Sequence, residues 1–257
     1  MRKTVLITGC SSGFGLLTAI KFHQEDWKVV GLVRSISQEL KWKLPREIEL
    51  IELDVTHSTR IPKVIAEVVE KHGKIDVLVN NAGVGSFGLF EQHDEKTMQY
   101  LFDVNVFGLM NMTKAVLPFM RQKQSGMIVN VSSIRGVEGC PMKSIYCATK
   151  FAVQGFSESL AAEVRQWNIQ VKTVLPGAYN TGFHNNSFNH TSTGSTELQK
   201  YSQRLLNTFK RKRIHQFDVH YGEPNPNEVA FKIFEIATDS SSIHNRIREE
   251  EKELLSS

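Results

Sequence analysis

The sequence predicts a single α/β domain over residues 1–257, built on a doubly wound parallel sheet with helices on both faces. Three observations carry that expectation. Short β-branched runs alternate with longer amphipathic stretches. Several runs are apolar almost throughout, as parallel strands covered on both faces must be. The first run ends in a glycine-rich turn that opens directly into a helical pattern.

The first strand is expected over 4–8, followed by a helix over 14–26. Further strands fall at 28–33, 47–53, 75–80, 127–132 and 169–175, with helical periodicity over 59–72, 97–124 and 144–167. Alternation of this kind implies right-handed crossovers within one sheet. No repeat and no linker rich in Pro, Gly or Ser divides the chain. The stretch 181–225 differs: it is polar, with one helical patch near 198–212. Its length and its place after the sixth strand suit a substrate-covering insertion. With Gly182 and Gly222 near its ends, it is expected to work as a mobile lid that orders over bound cofactor. A last amphipathic helix is expected at 227–237, whereas the charged tail 243–251 reads poorly as a seventh strand. Homo-oligomer contacts through that end are left open.

Composition narrows the function classes. Apolar content of 40% and charged content of 23% suit an ordinary globular domain. A net charge of +4 tolerates anionic ligands such as phosphates but gives no reason to expect nucleic acid. The basic run Phe209-Lys210-Arg211-Lys212-Arg213 is read as a solvated helix end. Three cysteines, Cys10, Cys140 and Cys147, have no metal-ligand spacing, so free thiols and no metal are expected. No apolar run approaches the length of a membrane span, and Met1-Arg2-Lys3 passes straight into the first strand. The expectation is a cytoplasmic protein without an integral membrane segment.

The turn Thr8-Gly9-Cys10-Ser11-Ser12-Gly13-Phe14-Gly15 reads as a phosphate cradle. Gly9 allows the sharp turn, Gly13 the close approach of backbone to a pyrophosphate, and Gly15 close packing of helix on sheet. Open N–H groups and the dipole at the helix start then attract the phosphates. Tyr146 and Lys150 lie four apart in a helical pattern and share a face. An ammonium beside a phenol lowers its pKa, and such a tyrosine can exchange a proton with the oxygen of a carbonyl or alcohol. Ser133 stands at the carboxyl end of the fifth strand, where ligands bind in open α/β sheets, and could bond an oxygen as negative charge grows on it. Asn105 falls inside a long helical stretch, an unfavourable place for an amide. Its reading is either a local kink beside Gly108 or a polar link from Lys150 to solvent.

Taken together, Thr8-Gly9-x-x-x-Gly13-x-Gly15, Asn80-Asn81-Ala82-Gly83, Asn105, Ser133, Tyr146-x-x-x-Lys150 and Pro176-Gly177 resemble the short-chain dehydrogenase/reductase family in order and spacing. The resemblance runs from about residue 3 to 181 and implies a Rossmann-type fold. It implies Tyr146 as acid/base, Lys150 as its pKa partner and ribose ligand, and Asn105 as completing the proton relay. It implies Ser133, thirteen residues before Tyr146, as the carbonyl-positioning hydroxyl rather than Ser132. Ser11, Ser12 and Phe14 would join the glycines at the phosphates, with Asp54 and Val55 at the adenine. Asn81, Ala82 and Gly83 would run along the dinucleotide, and Pro176, Gly177 and Thr181 beside the nicotinamide.

The expected activity is hydride transfer between NADP(H) and a small-molecule carbonyl or alcohol, an apolar ketone, aldehyde, steroid- or retinoid-like compound. NADP(H) is favoured over NAD(H) because the second strand ends on Val33, where an NAD site would carry an acid, and Arg34 follows. Substrate contacts are expected around Cys140-Pro141-Met142 and from Phe183, Phe188, Tyr201, Leu205, Leu206 and Phe209. The competing function is a non-catalytic NADP(H)-binding sensor or scaffold on the same fold. The complete Asn, Ser, Tyr and Lys set argues against it.

Overall fold

The computed structural model describes residues 2–179, 181, 183, 187–216, 225–238 and 244–246. Gly182, Tyr221 and Gly222, expected at the ends of a lid, lie outside the described residues. The strands are β1 (Thr4–Thr8), β2 (Lys28–Val33), β3 (Glu49–Glu52), β4 (Val77–Asn80), β5 (Ser86–Phe87), β6 (Gly126–Val131), β7 (Ile169–Leu175), β8 (Phe188–Asn189) and β9 (His244–Arg246). The helices are α1 (Gly13–Gln24), α2 (Gln38–Lys43), α3 (Ile61–His72), α4 (Glu95–Phe102), α5 (Leu109–Lys123), α6 (Ser144–Val164), α7 (Thr196–Gln216) and α8 (Asn227–Thr238). The main sheet is parallel throughout, in the order β3-β2-β1-β4-β6-β7-β9.

The central strands are buried along their whole length because helices cover both faces. One layer of core joins Leu6, Leu78 and Ile128 to Ile65 of α3, Met112 and Val116 of α5 and Leu160 of α6. The opposite layer joins Val5, Ile7 and Val129 to Phe22 of α1 and to Val229 and Ile233 of α8. The strand order reverses on either side of β1, between β2 and β4. A crevice therefore opens at the carboxyl ends of β1 and β4, the usual ligand position in doubly wound sheets.

Four features differ from the sequence expectation. The helical stretch 97–124 is two helices, α4 and α5, joined by a π-turn over Asp103–Gly108 that contains Asn105. The wider π geometry accommodates the amide that sits poorly in an α-helix. A seventh strand does form: β9 pairs with β7 through Thr173↔His244 and Leu175↔Arg246. An edge strand needs only one hydrogen-bonded neighbour, so polar composition does not exclude it. The short α2 escaped the periodicity, its Ser37 side chain capping Leu40 N at 3.1 Å.

The insertion is also more regular than its polarity suggests. Its β8 pairs with β5 in a separate two-stranded sheet, and α7 runs for 21 residues. Gln92 ties it down: its Nε2 donates to the Thr193 carbonyl at 2.7 Å, and its Oε1 accepts from Ser202 Oγ, which is fully buried.

Candidate active site

The crevice starts at the turn after β1. Gly9 has φ +72° and Gly13 φ +54°, both in the left-handed region that glycine tolerates. Gly15 is required by packing: a Cβ there would stand 2.3 Å from the Gly9 carbonyl oxygen and 2.4 Å from Asn81 Nδ2. Ser12 is the extended N-cap of α1 and makes no side-chain cap, and the first turn carries no acid. The amides and dipole of α1 therefore face the crevice without an internal anion, the arrangement that receives phosphate. Thr8 does not line the crevice but sets its floor. Its Oγ1 accepts from Asn81 N and Ala82 N, both at 2.9 Å, while Asn81 Nδ2 donates to the Thr8 and Gly9 carbonyls at 2.9 and 3.1 Å.

At the outer end, exposed Arg34 follows β2 and lines the crevice. Its Nη1 donates to the Tyr100 hydroxyl at 3.5 Å. Tyr100, on α4, was not foreseen as a wall residue, since nothing in its helical pattern separates it from ordinary packing. Val33 is only 2% exposed, and its side chain belongs to the α1–α8 core layer. Asp54 and Val55 complete this end, with Asp54 Oδ1 accepting from Thr56 N at 2.9 Å and Thr56 Oγ1 at 2.8 Å.

At the inner end, α6 brings Tyr146 and Lys150 onto the crevice one turn apart. Lys150 is buried and donates to the Val131 carbonyl at 2.9 Å. Loss of water lowers its pKa from 10.5 to about 8. Burial acts oppositely on Tyr146 and pushes its phenol up to about 12. A hydrogen bond with the Ser133 side chain and the charge of Arg135 pull the phenol down, but less strongly. The expectation that Lys150 holds this phenol below its ordinary value is thus not met here. The ammonium lies 5.8 Å from the ring centroid and turns to Val131, so desolvation prevails.

The two serines separate clearly. Ser132 Oγ donates to the Lys150 carbonyl at 3.2 Å, which fixes α6 against β6. Ser133 is the one that lines the crevice with Tyr146 and acts on its phenol; its Oγ donates to the Pro176 carbonyl at 3.5 Å and accepts from Arg135 N at 3.2 Å. Asn105 is 1% exposed and does not line the crevice. Its Oδ1 accepts from Val84 N at 2.8 Å, and its Nδ2 donates to the Val84 carbonyl at 2.9 Å and to Thr149 Oγ1 at 3.1 Å. The side chain is therefore a brace between α6 and the loop after β4.

The crevice brings together Gly9, Ser11, Ser12, Gly13, Phe14, Arg34, Asp54, Val55, Asn81, Ala82, Gly83, Ser133, Tyr146, Lys150, Pro176, Gly177 and Thr181. Thr8, Gly15 and Asn105 support it from behind. Of the aromatic candidates in the insertion, Phe183 lines the crevice with its ring 5.9 Å from that of Tyr146. Phe188 instead packs edge-on against Tyr100 at 5.8 Å, and Tyr201, Leu205 and Leu206 stay off the wall. The side chain of Phe209 lies outside the described residues. Tyr179 is a second residue not foreseen: it contacts Phe14 edge-on at 5.5 Å and donates to Glu228 Oε2 at 3.2 Å, holding the loop after β7. No group of three or more His, Cys, Asp or Glu able to hold a metal occurs among the described residues. No described helix is long and apolar enough to cross a membrane.

Fold and crevice together define a nicotinamide-dependent oxidoreductase. Comparison with known proteins narrows the class: the family model for short chain dehydrogenase matches residues 3–192, and the chain belongs to that family. It is 40% identical over 206 residues to 3-ketodihydrosphingosine reductase of Bacteroides thetaiotaomicron, covering 80% of this chain and 74% of that protein. It is 37% identical over 200 residues to retinol dehydrogenase 8 of Bos taurus, covering 74% of this chain and 64% of that one. The solved structure of ElxO with NADP bound superposes with a TM-score of 0.78 at 29% identity, covering 95% of this chain and 96% of that one.

Proposed function

We propose that this chain transfers a hydride between NADP(H) and a carbonyl or alcohol whose body is largely apolar. The observation that carries the reading is the convergence of Ser133, Tyr146 and buried Lys150 on one crevice that has Arg34 at its outer end. The residues present fit the dinucleotide. The uncapped start of α1 suits a pyrophosphate, with Ser11, Ser12, Gly13 and Phe14 around it. Arg34 suits a 2′-phosphate. Asp54 and Val55 would border the adenine, Asn81 to Gly83 the dinucleotide, Tyr146 and Lys150 the ribose, and Pro176, Gly177 and Thr181 the nicotinamide.

When bound, the nicotinamide supplies or accepts the hydride. The Tyr146 hydroxyl donates a proton to the substrate oxygen in reduction and takes it back in oxidation. A phenol held near 12 by burial is fully protonated at neutral pH, the form that reduction requires. Ser133 bonds the same oxygen and stabilises the charge that develops on it. Lys150, when charged, offsets negative charge on the phenolate and steadies the ribose. Asn105 would act as a positioning residue, holding the loop after β4 against the helix that carries Tyr146 and Lys150. Phe183 covers the ring of Tyr146 and helps to exclude water. The test is turnover of an aldehyde, ketone, steroid and retinoid panel followed by nicotinamide absorbance. Turnover with NADPH that is lost in Tyr146→Phe supports the reading, and cofactor binding without turnover of any carbonyl would favour a sensor.

A further inference from the structure

The insertion is tied to the body at Gln92, which grips Thr193 and Ser202, and at the pairing of β8 with β5. Two strands of two residues are marginal on their own, so the side chains at the end of that pairing matter. There His190 N donates to the Phe87 carbonyl at 2.8 Å, and the His190 ring meets that of His93 with centroids 4.7 Å apart and a tilt of 43°. His93 is 8% exposed, and its Nδ1 lies 3.0 Å from the Leu89 carbonyl oxygen. A carbonyl only accepts, so Nδ1 carries the proton and Nε2 of the neutral ring is a bare lone pair. Nε2 of each ring is buried and meets no hydrogen-bond partner among the described residues. Gly88 closes the pair in: a Cβ there would stand 3.0 Å from His190 Cβ and 3.1 Å from His93 Cε1. The site is packed for two neutral rings.

We propose that the His93–His190 contact is an acid-sensitive latch, closed while both rings are neutral and opened when one takes up a proton, that holds β8 on β5 and Phe188 against Tyr100. A proton added to His93 falls on Nε2, where no acceptor waits, and sets a buried charge against the neighbouring ring. Burial is the largest influence and pulls the His93 imidazole below its ordinary 6.5; the Leu89 carbonyl opposes it and His190 adds to it. The surrounding charges do not relieve the cost. Asp94 attracts the cations, but it is exposed, caps α4 at Thr97 N and also feels Lys96. Glu91 on the preceding turn and Glu197 and Lys200 on α7 are exposed, and residues 191–195 carry no ionisable side chain. On the β5 side Lys143 lies over the Phe87 ring, a further cation rather than a relief. The closed latch is therefore fully favoured above pH 6.5 and loses ground as pH falls below it. Opening reaches the crevice, because Phe188 packs on Tyr100 and the Tyr100 hydroxyl accepts from Arg34.

The experiment follows amide hydrogen exchange of the full chain by mass spectrometry from about pH 7.5 to about 5.5, corrected for the intrinsic pH dependence of exchange. The amides of Phe188 and His190, which donate to the Gly85 and Phe87 carbonyls, report the latch. A ring that ionises only in the open form favours opening by up to about tenfold per pH unit, so protection here should fall at least about threefold across the range. Strands β1 and β6 should keep theirs. Replacing both rings, as His93→Gln with His190→Gln, should make protection at β8 independent of pH, whatever its level. His93→Gln alone, a milder change, should already reduce the slope. A flat wild-type profile, a loss shared equally by β1 and β6, or a full wild-type slope in either variant would overturn the proposal. Exchange needs neither cofactor nor turnover, so failure of the latch and failure of the oxidoreductase reading are separate results.

Discussion

Replacing Arg34 by leucine should lower the preference for NADPH over NADH about tenfold. A charge-assisted hydrogen bond to a phosphate contributes about 1.5–3 kcal/mol. Arg34 is exposed, and its Nη1 already reaches the Tyr100 hydroxyl at 3.5 Å. Solvent screening therefore places its contribution at the low end of that range, which corresponds to about tenfold. The assay is kcat/KM for NADPH and NADH on wild type and variant with one substrate. NADPH efficiency should fall while NADH efficiency stays nearly constant, because NADH has no 2′-phosphate to lose contact with. Adding Val33→Asp makes a poorer test than the sequence suggests. Val33 borders the crevice but is only 2% exposed and packs in the core, so a carboxylate there would cost stability and confound the ratio. Wild-type preference for NADH, or an unchanged ratio in Arg34→Leu, would refute the reasoning.

Three further expectations follow from the same geometry. Gly15→Ala must move the Gly9 carbonyl or Asn81, 2.3 and 2.4 Å from the new Cβ, and should cost about 1–3 kcal/mol in denaturant titration and weaken NADPH binding. Asn105→Leu orphans the buried N–H and C=O of Val84 and should cost about 3 kcal/mol, with lower kcat among the molecules that stay folded. Lys150→Met should gain stability relative to wild type at neutral pH. The folded-state pKa, about 8, lies below the unfolded 10.5, so burying the charged amine costs stability below pH 8. That cost fades between about 8 and 10.5, and thermal melts across the window should show the variant's advantage shrinking as pH rises.

The sequence made the sheet and the chemical pair readable for physical reasons. Apolar runs such as 169–175 cannot be exposed, and the Gly9–Gly15 turn has few other uses between a strand and a helix. Helical spacing made it legible that Tyr146 and Lys150 share a face, while their proposed roles came only from the whole motif set that resembles the family. What escaped depends on partners distant in sequence. Strands β5 and β8 are two residues each, too short for an alternation pattern, and exist because Phe188 N finds the Gly85 carbonyl at 3.0 Å. Gln92 looks like a surface glutamine until Thr193 and Ser202 are brought to it. The phenol of Tyr146 illustrates the same limit: a neighbouring lysine can be read from spacing, but the desolvation that outweighs it depends on the whole wall around the ring.

The most direct test of the central claim is Tyr146→Phe, which keeps the ring and its contact with Phe183 and removes only the hydroxyl. With a substrate that the wild type turns over, kcat should drop by ~10²–10⁴-fold. NADPH affinity, measured by fluorescence titration, should change far less than kcat, since the phosphate contacts and Lys150 at the ribose remain. A variant that retains near wild-type kcat would contradict the account, because the proton would then come from another group.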